Sequence, residues 1–359
     1  MKKIFLVGPI FPPIHGQSLA FTRFVQSIEN ENKIVINTNN NYKSKFGKVF
    51  STFKTLLLIF IKSIFTKYDV VYFTCSRSFL GSIKDILLIN LISLKNIKII
   101  NHLHGSDFKE FINESPKWYQ KILYHSYKKV DVSIVLLESM KDQFQDFPNM
   151  KLKVVSNFYD KELDEKLIEK DQEKINLLYL SNIMSSKGIF ELINAFNILS
   201  QKYENIYLNI AGGYMSDNYM SIDEVKEKFE SQISQNGRIK YIGKIFGDEK
   251  TKLLQDSDIF ILPTYYKSEA FPISIIEAMA CGNVIVTTNY KYLPEVVNSS
   301  NGMLVEPKLV DSLKEGIEGL LEDKLGLKEI QNHNKKEARN KYSLKKHIKS
   351  LKKIVFEDE

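Results

Sequence analysis

Two glutamates, Glu269 and Glu277, sit in the stretch Lys267–Gly282, KSEAFPISIIEAMACG, where an apolar run ending at Leu262 gives way to a loop and then to helical periodicity. Glu269 falls in the loop and Glu277 inside the helix. The turn and helix start between them can offer backbone N–H groups to a phosphate, as helix N-termini do, although Pro272 has no N–H to donate. Carboxylates placed this way accept hydrogen bonds from sugar hydroxyls. Their spacing suits holding two ends of one ligand better than acting as an adjacent acid–base pair. Lys187, in SSKG, opens another helix, and a cation there is electrostatically disfavoured unless an anion binds. In HLHGSD, His102 and His104 follow the apolar run Ile97–Asn101 and share a face if the strand continues. The carboxyl end of a parallel strand is where open α/β sheets take ligands. On residue type alone each group also has an ordinary reading: a surface helix glutamate, a loop charge, a solvated lysine, a structural histidine.

The elements that must hold these groups alternate along the chain. Strands are expected at Ile4–Val7, Lys33–Asn37, Val70–Thr74, Ile97–Asn101 and Val132–Leu136, with helices near Ser18–Ile28, Phe50–Phe65, Leu80–Leu94 and Trp118–Lys128. The alternation restarts with strands at Asn176–Leu180, Ile206–Ala211, Ile239–Ile242, Asp258–Leu262, Val284–Thr287 and Met303–Val305, and helices near Gly188–Leu199, Ile222–Ser234, Asp248–Leu254 and Ile275–Ala280. Val310–Phe356 reads as helices alone. Strand and helix in steady alternation predict parallel βαβ units in doubly wound sheets. Asp160–Lys174, DKELDEKLIEKDQEK, is almost solid charge and marks the linker. The expected division is 1–160, 161–340, and a terminal helix over 341–359 packing back towards the first domain.

At 359 residues, with roughly 100–200 residues per domain, two domains are expected. A composition of 43% hydrophobic and 26% charged residues, with 16 Gly and 9 Pro, excludes disordered and low-complexity scaffolds. Cys75 and Cys281 are too few for a disulfide framework or a four-ligand zinc site. No His/Cys/Asp spacing makes a metal site, and Asp256-Ser257-Asp258 reads as a helix-to-strand connection. The loop Gly8–Gly16 lacks G-x-G-x-x-G, which argues against a NAD-dependent enzyme, and His15 within it reads as a chance neighbour. Met1-Lys2-Lys3 starts like a signal peptide, but the apolar run breaks at Gly8-Pro9, so a strand and a cytoplasmic chain are expected.

The first 130 residues carry the positive excess, which suits an anionic surface such as phospholipid headgroups or nucleic acid, or reflects a compositional bias toward lysine. Tyr42–Lys67 mixes lysines (Lys43, Lys45, Lys48, Lys54, Lys62, Lys67) with phenylalanines (Phe46, Phe50, Phe53, Phe60, Phe65), as an interfacial amphipathic helix does. The alternative is that the phenylalanines are core and the lysines a solvated face.

The stretch Lys267–Gly282 resembles the signature of the family-4 retaining glycosyltransferases of the bacterial surface-polysaccharide type, which have the GT-B fold. The resemblance extends in order over most of the chain, through GPIFPPIHGQS, HLHGSD, SNIMSSKGIFELINAF, LNIAGGY, YIGKI, DSDIFILPTYYKSEAFPISIIEAMACG, LPEVV and NGMLVEP. It implies two Rossmann-like domains facing across a cleft, the first for the acceptor and the second for the donor. It implies a hexosyl transfer from a UDP- or GDP-sugar to a glycan acceptor, such as a polyprenyl-diphosphate-linked oligosaccharide, in O-antigen, capsule or exopolysaccharide synthesis. The nucleotide sugar is a co-substrate, and no metal or other cofactor is expected. The partners implied exclude nucleic acid and include peripheral contact with the inner face of the plasma membrane.

By the same resemblance, Glu269 binds hydroxyls of the donor sugar and Glu277 the ribose. Backbone at Phe271, Ile273 and Ser274 approaches the diphosphate, and Lys187 stabilises charge on the leaving group. Gly16 and Gly243 line the donor, and His104 touches the sugar near the reacting carbon, with His102 its rival and Asp107 orienting the acceptor or the loop. One position departs from the family: Ser181-Asn182 stands where glycine and arginine are usual. Asn182 can donate hydrogen bonds but carries no charge, leaving Arg77 and Lys244 as candidate second cations. The leaving phosphate oxygen would take the acceptor proton on the face of attack. Two rival readings remain. One is a GT-B-fold sugar-nucleotide epimerase or phosphorylase; the other is an inactive membrane-attached scaffold subunit, suggested by Asn182 and the basic first half.

Overall fold

The computed structural model describes residues 2–39, 45–160, 163 and 173–357, and its chain divides into two compact units, Met1–Asn157 with Lys345–Glu359, and Phe158–Leu344. Short apolar runs free of interior Gly and Pro become parallel strands, and each is followed by an amphipathic stretch that covers one sheet face.

The first unit runs β1 (Ile4–Gly8), α1 (Gly16–Gln26), β2 (Lys33–Asn37), α2 (Lys45–Phe65), β3 (Val70–Thr74), α3 (Phe79–Ile92), β4 (Lys98–His102), α4 (Phe108–Glu114), α5 (Lys117–Tyr127), β5 (Val132–Val135) and β6 (Lys151–Val154). Its six strands lie in the order β2-β1-β3-β4-β5-β6, all parallel. The chain reverses its direction of growth between β1 and β3. β1, β3 and β5 are buried throughout.

The second unit continues with β7 (Ile175–Leu180), α6 (Ile189–Lys202), β8 (Ile206–Ala211), α7 (Ile222–Ile233), β9 (Ile239–Gly243), α8 (Gly247–Asp256), β10 (Ile259–Leu262), α9 (Ile273–Ala280), β11 (Val284–Thr288), α10 (Leu293–Val296), β12 (Gly302–Val305), α11 (Val310–Glu322) and α12 (Lys324–Lys341). The sheet order is β12-β11-β10-β7-β8-β9, again parallel, with its reversal between β7 and β10.

The last helix, α13 (Leu344–Phe356), returns to the first unit. Leu351 and Val355 join Ile4, Leu6, Phe21 and Phe24 in one core. Lys352 Nζ donates to the Ser27 carbonyl at 2.6 Å and Lys98 Nζ to that of Ile354 at 2.8 Å.

Three elements were not legible in advance. β6 is an edge strand, KLKV, whose alternating lysines hide it, α4 is a seven-residue helix directly after the HLHGSD loop, and α10 is a four-residue turn of helix at LPEV. Four phenylalanines of α2 overturn their core reading: Phe50, Phe53, Phe60 and Phe65 are exposed, while the side chain of Phe46 lies outside what is described, and Ile59 and Ser63 are buried among the described residues. Most of the charged segment Asp160–Lys174, and residues 40–44 ahead of α2, lie outside the described residues.

Candidate functional site

β7 and β10 are neighbours at the reversal of the second sheet, so the loops leaving their carboxyl ends meet. The first loop makes a 3-10 turn, Ser185–Lys187, before α6. Gly188 ends that turn with φ +74°, and a Cβ on it would lie 2.1 Å from the Pro263 carbonyl oxygen. Glycine therefore meets both the left-handed backbone and the close approach to the β10 loop. Tyr265 N donates to the Ser186 carbonyl at 2.8 Å, stapling the two loops, and Ser186 N donates at 2.6 Å to Asp217 Oδ2 in the connection between β8 and α7.

Lys187 and Glu269 are thereby paired, Nζ to Oε2, with only 12% and 9% of their side chains exposed. Thr264 Oγ1 donates to the same Glu269 oxygen at 3.0 Å, and Lys187 Nζ stands 5.0 Å from the Tyr266 ring centroid. The pairing corrects one expectation: the cation at the helix start already has a counter-ion, so its position alone does not demand a bound anion. A charge-assisted pair in a nearly dry setting is nonetheless a preorganised device for charge that appears later.

Glu277 is not a surface helix residue. It is 4% exposed, and Lys250 Nζ, from α8, donates to its Oε1 at 2.6 Å. Burial raises the Glu277 carboxyl above its ordinary range, and the Lys250 ammonium opposes that rise. Each glutamate thus has its own lysine. Between them, Ile273 and Ser274 form the half-exposed first turn of α9, where backbone N–H groups lack intrahelical partners. Phe271 is buried, its ring edge-on to Tyr342 at 5.4 Å.

Asn182 is exposed, its Nδ2 3.3 Å from Met215 Sδ. Of the two candidate cations, Lys244 lies beside it in the same unit. Its side chain covers Gly213, where a Cβ would come within 1.7 Å of Lys244 Cε, and Gly213 O accepts from Ile183 N at 2.9 Å. Gly243 ends β9 at φ +85°, and its carbonyl accepts from Gly212 N at 2.8 Å. Asp258 Oδ2 accepts from Asn176 N at 2.9 Å, a strand-to-strand tie in keeping with a structural role for that aspartate.

In the first unit, His102 ends β4 and His104 stands in the loop beyond. Tyr72 OH lies 2.6 Å from His102 Nδ1, while both ring nitrogens of His104 are buried without a hydrogen-bond partner among the described residues. The two rings lie with centroids 4.0 Å apart and planes tilted by 35°, and His347, from α13, stacks 6.4 Å from His102 with its Nδ1 2.7 Å from the Ser156 carbonyl. Arg77 pairs with Asp107 and lies across Gly105, where a Cβ would meet its guanidinium at 1.5 Å. His15 is no chance neighbour: it caps α1, accepting from Ser18 N at 3.2 Å, with Gly16 as the first helical residue. Its pKa is lowered by burial and then by Arg77.

Burial, followed by the His347, Arg77 and His15 charges, lowers His104 to about 3. Burial brings His347 to about 4 and puts His102 well below its usual value. All three imidazoles are neutral at pH 7, so His104 offers one donor and one acceptor rather than a charge. His347 and Lys250 were missed in the sequence, since nothing local marks either one.

Among the described residues, no group of three His, Cys, Asp or Glu is arranged to hold a metal ion. Residues 160–341 match the family model described as Glycosyl transferases group 1. An uncharacterized glycosyltransferase of Methanocaldococcus jannaschii is 28% identical over 302 residues, covering 80% of this chain and 74% of that protein. The N,N'-diacetylbacillosaminyl-diphospho-undecaprenol alpha-1,3-N-acetylgalactosaminyltransferase of Campylobacter jejuni is 28% identical over 63% of this chain and 55% of its own length. The crystal structure of Anabaena HepE in complex with UDP and glucose superposes with a TM-score of 0.74 at 15% identity, covering 99% of both chains, a likeness of fold. That fold is GT-B, two Rossmann-like sheets in one chain.

Proposed function

Because the chain belongs to the group 1 glycosyltransferases, we propose that it moves a hexosyl unit, with retention, from a UDP- or GDP-sugar to a glycan carried on a polyprenyl diphosphate, in surface-polysaccharide synthesis at the inner face of a bacterial membrane. The observation that carries this reading is the Lys187–Glu269 pair at the reversal point of the second sheet. The acceptor part is supported by the diphospho-undecaprenol in the Campylobacter relative's name, and the donor part by the UDP held by Anabaena HepE.

The chemistry follows from the residues. As the glycosidic bond breaks, negative charge grows on the leaving diphosphate. Lys187 is held within reach by Glu269 and Thr264 and shifts its ammonium toward that charge. Glu269, acceptor-only, takes hydrogen bonds from sugar hydroxyls. The first turn of α9, at Ile273 and Ser274, offers N–H groups and the positive end of the helix dipole to the phosphates. Lys244, beside Asn182, supplies the second cation. Glu277, kept in position by Lys250, accepts from the ribose. His104, neutral and without a hydrogen-bond partner among the described residues, exchanges hydrogen bonds with a sugar hydroxyl, and Gly16 lets backbone pass close by. The leaving phosphate oxygen accepts the acceptor's proton, so no separate carboxylate pair is needed.

A screen of nucleotide sugars by thermal shift, followed by transfer assays, tests the reading. Free nucleoside diphosphate should appear only when a lipid-linked glycan is added. Its release without acceptor, or recovery of an epimerised donor, would favour the epimerase or phosphorylase reading instead.

Glu277→Ala is expected to weaken binding of the free nucleoside diphosphate by about tenfold to a hundredfold, the value of one or two hydrogen bonds to a charged group. The affinity should also have an acidic limb. Glu277 accepts only when ionised, so binding falls as pH drops through its raised pKa. Lys250→Met removes the ammonium that opposes the rise and should move that limb to higher pH. Titration calorimetry across pH measures both, and unchanged affinity in Glu277→Ala would remove the ribose assignment.

Transfer is expected to survive EDTA, with Lys187, Lys244 and the α9 amides facing the diphosphate. Activity abolished by EDTA and restored by magnesium or manganese would contradict this.

A further inference from the structure

α2 turns its apolar side outward. Phe50, Phe53, Leu57, Phe60, Ile64 and Phe65 are all exposed, Phe53 at 65% and Phe65 at 76%. The charges interspersed with them are the exposed Lys54 and Lys62, and the sequence has no carboxylate between Glu31 and Asp69. A helix of 21 residues is about 30 Å long, and soluble chains rarely leave so continuous an apolar face to water.

The face continues onto neighbouring helices. α2 packs on α3 and α3 on α5. A helix joining two parallel strands starts at their carboxyl ends, so all three helices begin at the end of the sheet that carries Arg77 and His104. At those starts Phe79, Leu80 and Trp118 are exposed, with the Phe79 and Trp118 rings edge-on at 6.4 Å.

Charge selects the occupant. A second copy of the chain would set Lys54, Lys62 and Lys67 against their own counterparts, and like charges across an interface are strongly disfavoured. An anionic lipid surface complements both the lysines and the apolar side chains. Among the described residues no helix is long and apolar enough to cross a membrane. We propose that the outer face of α2, together with Phe79, Leu80 and Trp118, docks on a bilayer containing anionic lipid, with α2 lying in the plane of the headgroups. This rests on the lipid-carried acceptor proposed above, because docking brings the carboxyl-end rim of the unit to the phase that holds such an acceptor.

Co-sedimentation of the full chain, without any sugar nucleotide, tests the surface. The protein should pellet with vesicles of phosphatidylcholine mixed with phosphatidylglycerol. Binding should be about tenfold weaker to phosphatidylcholine alone or at high salt. The triple variant Phe50→Ser, Phe53→Ser, Phe60→Ser changes exposed positions only and should weaken binding about a hundredfold while keeping the wild-type melting temperature. Equal recovery in the supernatant with and without anionic vesicles overturns the proposal. So does a wild-type dimer that the triple variant splits while vesicle binding is absent.

The function is read separately. Transfer to a water-soluble, short-tailed acceptor should be equal in wild type and triple variant, and only transfer to a bilayer-embedded acceptor should fall. Vesicle binding without any sugar transfer leaves docking standing and removes the function. Transfer to the soluble acceptor without vesicle binding does the reverse.

Discussion

Lys187→Ala is expected to lower turnover by about a hundredfold to a thousandfold, the usual cost of removing one group aimed at charge that develops in a transition state. The same change also leaves Glu269 9% exposed and without its cation. Breaking one side of such a pair costs about 3–5 kcal/mol of stability, so a slow variant could be merely an unstable one. The double variant Lys187→Ala, Glu269→Gln separates the two effects. It removes the buried charge along with its partner, so thermal stability should recover most of the way. Turnover should stay low because neither the ammonium nor the carboxylate is restored. Thr264 can still donate to the glutamine side-chain oxygen, which helps the double variant hold the loop. Glu269→Gln alone should also slow transfer, and the two losses should be strongly non-additive, since the residues act as a unit. Wild-type turnover in folded Lys187→Ala would remove the pair from the reaction.

Acidification is expected to unfold the first unit well before carboxylate titration is complete. In the unfolded chain a histidine takes up a proton near pH 6.5. In the folded unit His104 does so only at about 3, His347 at about 4, and His102 well below its usual value. Between these limits the unfolded state binds more protons. Stability therefore rises with pH through this range and is lost as pH falls below about 6.5. Each unit of pH is worth ~1.4 kcal/mol per histidine, so the loss by pH 4.5 is on the order of several kcal/mol, a large part of a domain's stability. The chain's single tryptophan, Trp118, lies in α5, so its fluorescence in urea titrations follows this unit without interference from the other. His347→Gln keeps a donor for the Ser156 carbonyl and cannot titrate, so its acid slope should be shallower by about one proton. A midpoint independent of pH between 7 and 4.5 would show that the cluster is already protonated or hydrated in the native state.

Much of the fold was readable because its signals are local. Strands covered on both faces are continuous apolar runs, and their spacing alone announces parallel βαβ units. β6 escaped because an edge strand has one open side, and its lysines occupy it. Lys187, Glu269, Glu277 and His104 could be singled out because the motifs that carry them resemble a known family's, three of them in loops after strands and Glu277 in the helix beyond. Their partners could not. Lys187 and Glu269 are 82 residues apart, and His347 reaches the His102 stack from the other end of the chain.

The sequence by itself determined the two doubly wound sheets, the loops that leave their strands and the types of group those loops present, because burial periodicity and turn chemistry act over a few residues. Only the tertiary structure decided which charges are already neutralised. Nothing in the chain named the partner of either glutamate, yet Glu269 pairs with Lys187 and accepts from Thr264 while Glu277 is sealed against Lys250. It also decided which side of α2 meets water. That helix is amphipathic, and periodicity alone did not say whether its apolar stripe faced the core or the outside. Packing against α3 and β2 chose Ile59 and Ser63 for the inside and left the phenylalanines out.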